Sequence, residues 1–600
     1  MTARTDADAA HVFKVSREAP EPDPAVIAVA RGDAPADLVL TGGSVVNVFT
    51  REIIPADVAI VRGRIAAVGA DGTGAWPGEA RERRDVSGAV LAPGFIDAHM
   101  HIESTMLPPS RFAALATPHG TTGVVADPHE IANVHGMEGI RWMMRDALAA
   151  RCRIFFAASS CVPSCHLENA GATLSAADLE PLFDEERIVA MAELMNFPGV
   201  VHADPAVMAK VALGLARRQV DGHAPGVRGA ALQAYASGGI SSDHESVTAD
   251  EAREKLRAGM QVFIREGSAA RNLDALLPLV TQANAHRFCW CTDDRHPADL
   301  HAEGHIDHVI RRAIAAGLDP ATAIAIGTVH TAEHFQLGGL GAIAPGYHAD
   351  IVILDDLRSV RIREVVVGGA TVAKAGASTV PLGPLPEFPR QSVRVPADLS
   401  AARLAIGAPP AGAKIRVIDM DPHQIVTGRS MHEPKIATER CIADPSRDIL
   451  KMAVIERHAG NGNIGLGFVR GFRFAGGAIA STVGHDAHNL AIVGDSDEDM
   501  VIAAKELARV GGGQTVVAKG KVVATLALPV AGLMSDRDPQ EVIAAQGALL
   551  KAAESLGCPH QDPFMPLSFL CLPVIPSLKL TDLGVVDVEK FAVVPLFAKD

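Results

Sequence analysis

Aromatic side chains make up only 4% of this 600-residue chain. Its core must therefore be aliphatic, and a hydrophobic fraction of 48% against 21% charged residues marks a globular protein rather than a disordered one. Cysteine is also sparse, with eight in the whole chain. That excludes a disulfide framework and leaves buried reduced thiols, with Cys161/Cys165 and Cys289/Cys291 as conceivable thiol ligand pairs. There is no excess of positive charge: the formal net charge is −15. A nucleic-acid backbone is thereby excluded as the main partner, because phosphate binding needs a basic face. No uninterrupted apolar run is long enough to span a membrane. The opening residues, MTARTDADAAHVFKVSREAPEPDP, have no apolar stretch of the kind that directs secretion. A cytoplasmic protein acting on small molecules is expected, with neither nucleic acid nor membrane as partner.

What is present is an alternation of textures. Residues 1–35 are polar and rich in Pro and Ala, an arm or a surface helix. Residues 36–70 hold short β-branched runs broken by Gly-Gly and Arg-Gly turns, and 341–376 repeat that texture. The two flanks predict one small composite β domain, 36–90 with 331–385, into which 91–330 is inserted. The insert contains eight strand-like runs, each ending in polar residues. Helical patterns lie between them, such as 204–219 opened by Asp-Pro, 248–259 opened by a Thr cap, and 272–285. Eight such units suit a (β/α)8 barrel, for which ~250 residues is typical. An open doubly wound sheet would gather its ligands at one switch point, whereas here nearly every strand end carries polar groups. A Pro-rich linker, 380–399, leads to a C-terminal α+β domain over 396–600. The expected fold class is α/β: a TIM-like barrel inserted in a small β-sandwich domain, followed by an α+β domain.

The chemistry concentrates at the strand ends. PGFIDAHMHIE, 93–103, places His99 and His101 two apart, on one face of a strand. The second strand ends in Asp127, His129 and Glu130; the fourth in Glu193; the fifth in His223; the sixth in Asp243, His244 and Glu245; the seventh in Arg265 and Glu266; the eighth in Asp293 and Asp294. Imidazole and carboxylate without thiolate suit borderline divalent metals such as Zn, Mn or Fe. His99, His101, His223 and His244 with Glu193 and Asp293 would suffice for two ions bridged by a carboxylate. Such a pair, ~3.5–4 Å apart, generates a hydroxide nucleophile and polarises the substrate. A lone His is more often a satisfied core or surface group than a ligand, and His202, His286 and His334 are read so. Glu245 and Asp294 are read as solvated or supporting groups, and Arg265 as the partner of a neighbouring acid.

The set resembles the amidohydrolase superfamily and, within it, the adenine deaminases of bacteria. The stretches that carry the resemblance are PGFIDAHMHIESTM, GTTGVVADPHEIANVHG, MAELMNFPGV, VDGHAPG, SSDHES and TDDRH, with GHDAHN at 484–489 in the tail. Glu193 stands where many members of the superfamily carry a carboxylated lysine. The resemblance implies hydrolysis of adenine to hypoxanthine and ammonia at a binuclear centre of Mn, Fe(II) or Zn. It implies His99, His101, Glu193, His223, His244 and Asp293 as ligands, with Glu193 bridging. It further implies Asp293 as acceptor of the water proton, Glu266 as the acid at ring N1, and His129 or Asp293 as donor to the leaving amine. Asp127, Glu130 and Glu266 would read the purine. His485 and Asp486 in GHDAHN would either reach the barrel mouth and join them or form a surface turn. The zinc-deaminase signature H-x-E…P-C-x-x-C is absent. A hydrolase of another cyclic amide or amino-heterocycle on the same barrel is the rival reading, and an inert metal-binding scaffold a more distant one. A homodimer is expected, and the low-charge stretch 564–580 is either part of its interface or a buried strand pair.

Overall fold

The computed structural model describes residues 15–69, 74–388, 392–422 and 425–598. Of the arm expected over 1–35, residues 1–14 lie outside the described residues, and so do 389–391 of the linker. The first helix of the described chain, Pro24–Ala30, starts where Asp23 caps the Ala25 amide.

Eight parallel strands form the centre: β1 (Phe95–Met100), β2 (Thr121–Ala126), β3 (Arg153–Ala158), β4 (Ile188–Leu194), β5 (Val220–Gly222), β6 (Ser242–Asp243), β7 (Gln261–Arg265) and β8 (Phe288–Cys291). β1 through β5 pair in order, as do β6 through β8. Parallel bridges at Val220–Ile240 and Met100–Asp293 join the two runs at both seams, so the ring closes. Every residue of these strands is buried, as expected of strands covered on one side by helices and filled on the other by side chains.

Local chemistry sets the connecting helices. Asp204 accepts hydrogen bonds from the Ala206 and Val207 amides and opens the helix Pro205–Arg217; Thr248 accepts from the Glu251 amide and opens Ala249–Arg257. The helix expected over 272–285 is instead a single turn, Leu273–Leu276, followed by a 3-10 turn at Leu277–Leu279. Pro278 has no N–H with which to continue an α-helix.

The flanks of the ring share one sheet. Strand Ile351–Asp356, beyond the barrel, pairs antiparallel with Val90–Pro93, before it, inside a seven-stranded sheet; a four-stranded sheet built from 36–85 packs beside it. Asp350 fastens this layer to the ring. Its carboxylate accepts from Arg153 Nε at 2.5 Å and Nη2 at 3.1 Å and from the Gly368 amide at 2.8 Å, all buried.

Beyond the linker lies a nine-stranded, mostly antiparallel sheet with helices Asp497–Val510 and Pro539–Ser555, capped by Ser496 and Asp538. Its core is not separate from the barrel's. One contiguous apolar cluster runs from Met100, Leu107 and Phe112 to Met452, Ile479 and Leu528. All eight cysteines are buried and unpaired. Among the described residues no helix is long and apolar enough to cross a membrane.

Breaking a buried ion pair by removing one partner costs about 3–5 kcal/mol. Asp350→Ala is therefore expected to lower the first thermal unfolding transition well below that of the wild type. A paired replacement, Arg153→Leu with Asp350→Leu, is expected to recover part of the loss in the same melt.

Candidate active site

Strand periodicity decides which side chains meet at the C-terminal end of the ring. His99 on β1 and His101 just beyond it lie two apart and share the inner face, with a register shift between Asp97 and Met100 interrupting the strand's regular alternation. The His101 Nδ1–H donates to the Asp127 carbonyl at 3.0 Å, so its Nε2 carries the lone pair. That lone pair faces two carboxylate oxygens, Glu193 Oε1 and Asp293 Oδ1, each at 3.1 Å. His99 Nε2 lies 3.6 Å from the same Glu193 oxygen and 3.4 Å from Asp293 Oδ1, and it has no hydrogen-bond partner. The other Glu193 oxygen, Oε2, faces His223 Nδ1 at 2.6 Å and His244 Nε2 at 3.2 Å. One carboxylate thus stands between two pairs of imidazoles, one oxygen to each.

Acceptors pointed at acceptors in a buried site need positive charge between them. Burial pushes Glu193 up, yet His244 and His223 outweigh it and hold the carboxyl well below its usual range. Burial likewise pushes His101 down, and Asp293 and Glu193 outweigh it. A divalent cation satisfies the same need, and imidazole with carboxylate is a donor set that borderline metals accept. The donor atoms of His99, His244 and Asp293 lie within 4.8 Å of one another, as do those of Glu193, His223 and His244. The residues present fit a divalent metal.

Asp293 has a left-handed backbone, φ 58°. This turns its carboxylate inward while its amide donates to the His99 carbonyl at 3.0 Å and its own carbonyl accepts from the His101 amide at 3.2 Å. Arg265 on β7 donates to Asp293 Oδ2 at 2.5 Å and to both oxygens of Glu245. Asp97 supports the ring seam beneath, accepting from Thr292 Oγ1 at 2.5 Å and from the His99 amide at 3.1 Å.

The cavity above the acids is small, with about 30 Å³ open to a water-sized sphere. His101, His129, Glu130, Glu193, His223, His244, Asp293, His485 and Asp486 line it; Glu245, Arg265 and Asp294 join them. GHDAHN is not a surface turn: His485, Asp486 and His488 are all buried. His485 Nδ1 lies 3.1 Å from Glu130 Oε1, and His488 Nε2 lies 3.3 Å from Glu130 Oε2. Burial lowers His485, but Glu130 and Asp294 raise it to about 9; Glu130 in turn is held far below its usual range against the cost of burial. Burial raises Asp486, whose Oδ2 has no hydrogen-bond partner.

Two expected cavity residues are elsewhere. Glu266 follows Arg265, and strand alternation turns it to the other face. Its carboxylate pairs with Arg312 and accepts from the Leu273 amide at 3.3 Å, so it does not border the cavity. Asp127 also stays below the cavity surface, accepting from Ser159 Oγ at 2.8 Å and His129 Nδ1 at 3.0 Å. It holds His129 and does not itself border the cavity. Residue types alone did not single out Ile425, Phe569, Leu572 and Ile575, which roof the cavity from the C-terminal sheet region. For Phe569, Leu572 and Ile575 the sequence signal is the low charge of 564–580, a stretch that forms the short helix Phe564–Phe569 and leads into the strand Leu578–Thr581; Ile425 lies outside it.

Residues 90–372 match the profile described as "Amidohydrolase family", and 424–592 match "Adenine deaminase C-terminal domain". A protein named "Adenine deaminase" from Desulfatibacillum aliphaticivorans is 46% identical over 577 residues, covering 96% of this chain and 100% of the relative. The chain belongs to the adenine deaminase family. A relative of the same name from Cereibacter sphaeroides is 48% identical over 567 residues, 94% of this chain and 98% of its own length. Another, from Geobacillus kaustophilus, is 43% identical over 579 residues, covering 95% of this chain and 98% of its own. The family's C-terminal domain is the part that supplies His485, Asp486 and the roof.

The Glu130–His485 pair has a pH signature. A folded-state pKa near 9 against an unfolded value of about 6.5 means the folded chain holds more protons between those limits. Stability from this pair is full below about pH 6.5 and is lost as pH rises through 9. The melting temperature is expected to fall across that window, and Glu130→Gln is expected to flatten the fall in a thermal-shift series.

Proposed function

We propose that this chain catalyses the hydrolytic deamination of adenine to hypoxanthine and ammonia. Identity of 43–48% along nearly the whole length of relatives named adenine deaminase carries the activity. The placement of Glu193 between two imidazole pairs carries the reading of a binuclear centre. His99, His101 and Asp293 would hold one ion and His223 and His244 the other, with Glu193 shared between them; Mn, Fe(II) or Zn would suit this donor set. The working unit is a barrel over 91–330 set into a composite β domain, 36–90 with 331–385, and completed by 396–600. Adenine and water are its small-molecule partners, and a cytoplasmic homodimer is its proposed state.

The ions, when bound, supply Lewis acidity and a water acidic enough to attack at neutral pH. The chain's own residues do the rest. Asp293 Oδ1 faces His99 and His101 and takes the water's proton, while Arg265 on Oδ2 keeps the carboxylate ionised. Burial pushes Asp293 up; Arg265 and the imidazoles of His101 and His99 outweigh it. Asp127 fixes His129 Nδ1, leaving Nε2 directed toward Asp486 Oδ1 at 3.8 Å. The proton taken by Asp293 is delivered to the departing amine, directly or by way of His129, and the C6 hydroxyl gives up its own proton to the acid that protonated N1. The acid at ring N1 is Asp486 in place of Glu266, since Asp486 lies in the cavity wall with a free oxygen and a raised pKa. The roof excludes bulk water once the base has entered.

Metal-depleted protein reconstituted separately with Mn, Fe(II) and Zn is expected to release ammonia from adenine; silence with all three would reject the activity. Asp293→Asn is expected to lower kcat by ~10²–10⁴. Glu266→Gln is expected to change kcat/KM less than about tenfold, because general acid–base contributions of ~10²–10⁴ require contact with the reacting atoms. A loss as large as that of Asp293→Asn would return the acid role to Glu266.

A further inference from the structure

The roof of the cavity comes from outside the barrel, and one buried cation holds it. Lys579 has no exposed surface. Its Nζ donates to the carbonyl of Ile425 and to that of Phe569, each at 2.9 Å. Both of those residues line the cavity, while Lys579 contributes no atom to it. Among the described residues no carboxylate forms an ion pair with this ammonium, and burial pushes its pKa down to about 7. A surface lysine would cost nothing to place. This one is spent on two carbonyls: a hydrocarbon side chain would leave that of Ile425 without its donor and that of Phe569 with only the Leu572 amide, at 3.3 Å. The lacing continues alongside: Thr427 Oγ1 donates to the Leu578 carbonyl at 2.8 Å, and the Thr427 amide donates to the Pro576 carbonyl at 2.9 Å. The Ile425 and Phe569 segments are thereby locked into one plate.

We propose that Lys579 is a positioning residue that pins this plate over the site, and that the pinned plate is the element by which the site admits the free base and turns away purines substituted on N9. The inference rests on the deamination reading. Attack at C6 requires that edge of the purine to sit at Glu193 and Asp293. N9 lies across the bicycle from C6 and so faces outward, toward the roof. The roof there is Ile425, Phe569, Leu572 and Ile575, all apolar, with the His485 ring stacked on Phe569 at 4.6 Å and 18°. A sugar on N9 would collide with these side chains, and its hydroxyls would lose water without finding donors or acceptors. Ile425 and Arg265 also border a larger open groove beside the site. Ile425 therefore stands between cavity and groove, where a shift of the plate would open one into the other.

The test compares adenine, 9-methyladenine and adenosine with metal-loaded wild type, Leu572→Ala, Lys579→Met and Lys579→Arg. Wild type is expected to favour adenine over 9-methyladenine by at least about 10²-fold in kcat/KM. Leu572→Ala and Lys579→Met are each expected to raise kcat/KM for 9-methyladenine by about tenfold or more. Lys579→Met should also raise the KM for adenine by a larger factor than it lowers kcat, and Lys579→Arg, which keeps the donors, should restore part of the selectivity. If Lys579→Met does not fold, Lys579→Gln, which keeps a donor for one carbonyl, serves in its place. Folded lysine variants with wild-type selectivity would overturn the role of Lys579. Wild type that turns over both bases within tenfold of each other would overturn the role of the roof and leave the deamination reading standing. Failure of wild type on adenine itself would overturn both.

Discussion

A carboxylate buried among imidazoles is the constraint on which the rest of the structure depends. Glu193 is almost wholly out of water, with each oxygen committed to a different pair of histidines. Alone it would be costly to ionise there. Its surroundings must therefore be cationic, held rigidly, and compensated further out. Arg265 neutralises Asp293 and Glu245, Asp97 and Thr292 brace the first and last strands, and Lys255 answers Asp243 and Glu251 beneath β6. The barrel contributes the geometry in which so many charged groups face one point while their backbones stay hydrogen-bonded in the ring.

The upper half of the site obeys the same logic with different parts. Glu130 sits in the first turn of the helix His129–Asp146, where a carboxylate is favoured by the unpaired amides. It receives two imidazoles from the tail. This contact is polar and buried, so it is specific in a way that the shared apolar core is not. A tail displaced by a few ångströms would keep its hydrophobic contacts and lose this pair.

Much of the lower site was legible because it is local. His-x-His needs only a strand's two-residue period to bring both rings to one face, and Glu193, His223, His244 and Asp293 each sit at the end of a readable strand. The family likeness supplied what spacing could not, the proposed bridging role of Glu193. Failures came where one residue of register matters. Arg265 and Glu266 are neighbours, both polar, and only the phase of β7 decides which enters the cavity. Asp127 raises a related question of direction: a loop residue can turn either to a ligand or to the histidine two positions on, and here one carboxylate oxygen turns to His129. The roof was invisible because it is apolar. Phe569 and Leu572 look like any core residues until tertiary packing carries them to the mouth. The short helix at Leu273–Leu276 shows the opposite case, in which a single Pro278 outweighed a favourable pattern.

Asp293 is at once a proposed ligand and the point where β8 is stitched back to β1, through its amide to His99 and its carbonyl to His101. Ring closure and completion of the donor set are one event. A chain whose last strand has not docked lacks the sixth donor, and an ion that binds only the complete set must favour the closed ring by mass action. Metal supply in the cell would then act on the yield of folded protein as well as on its turnover.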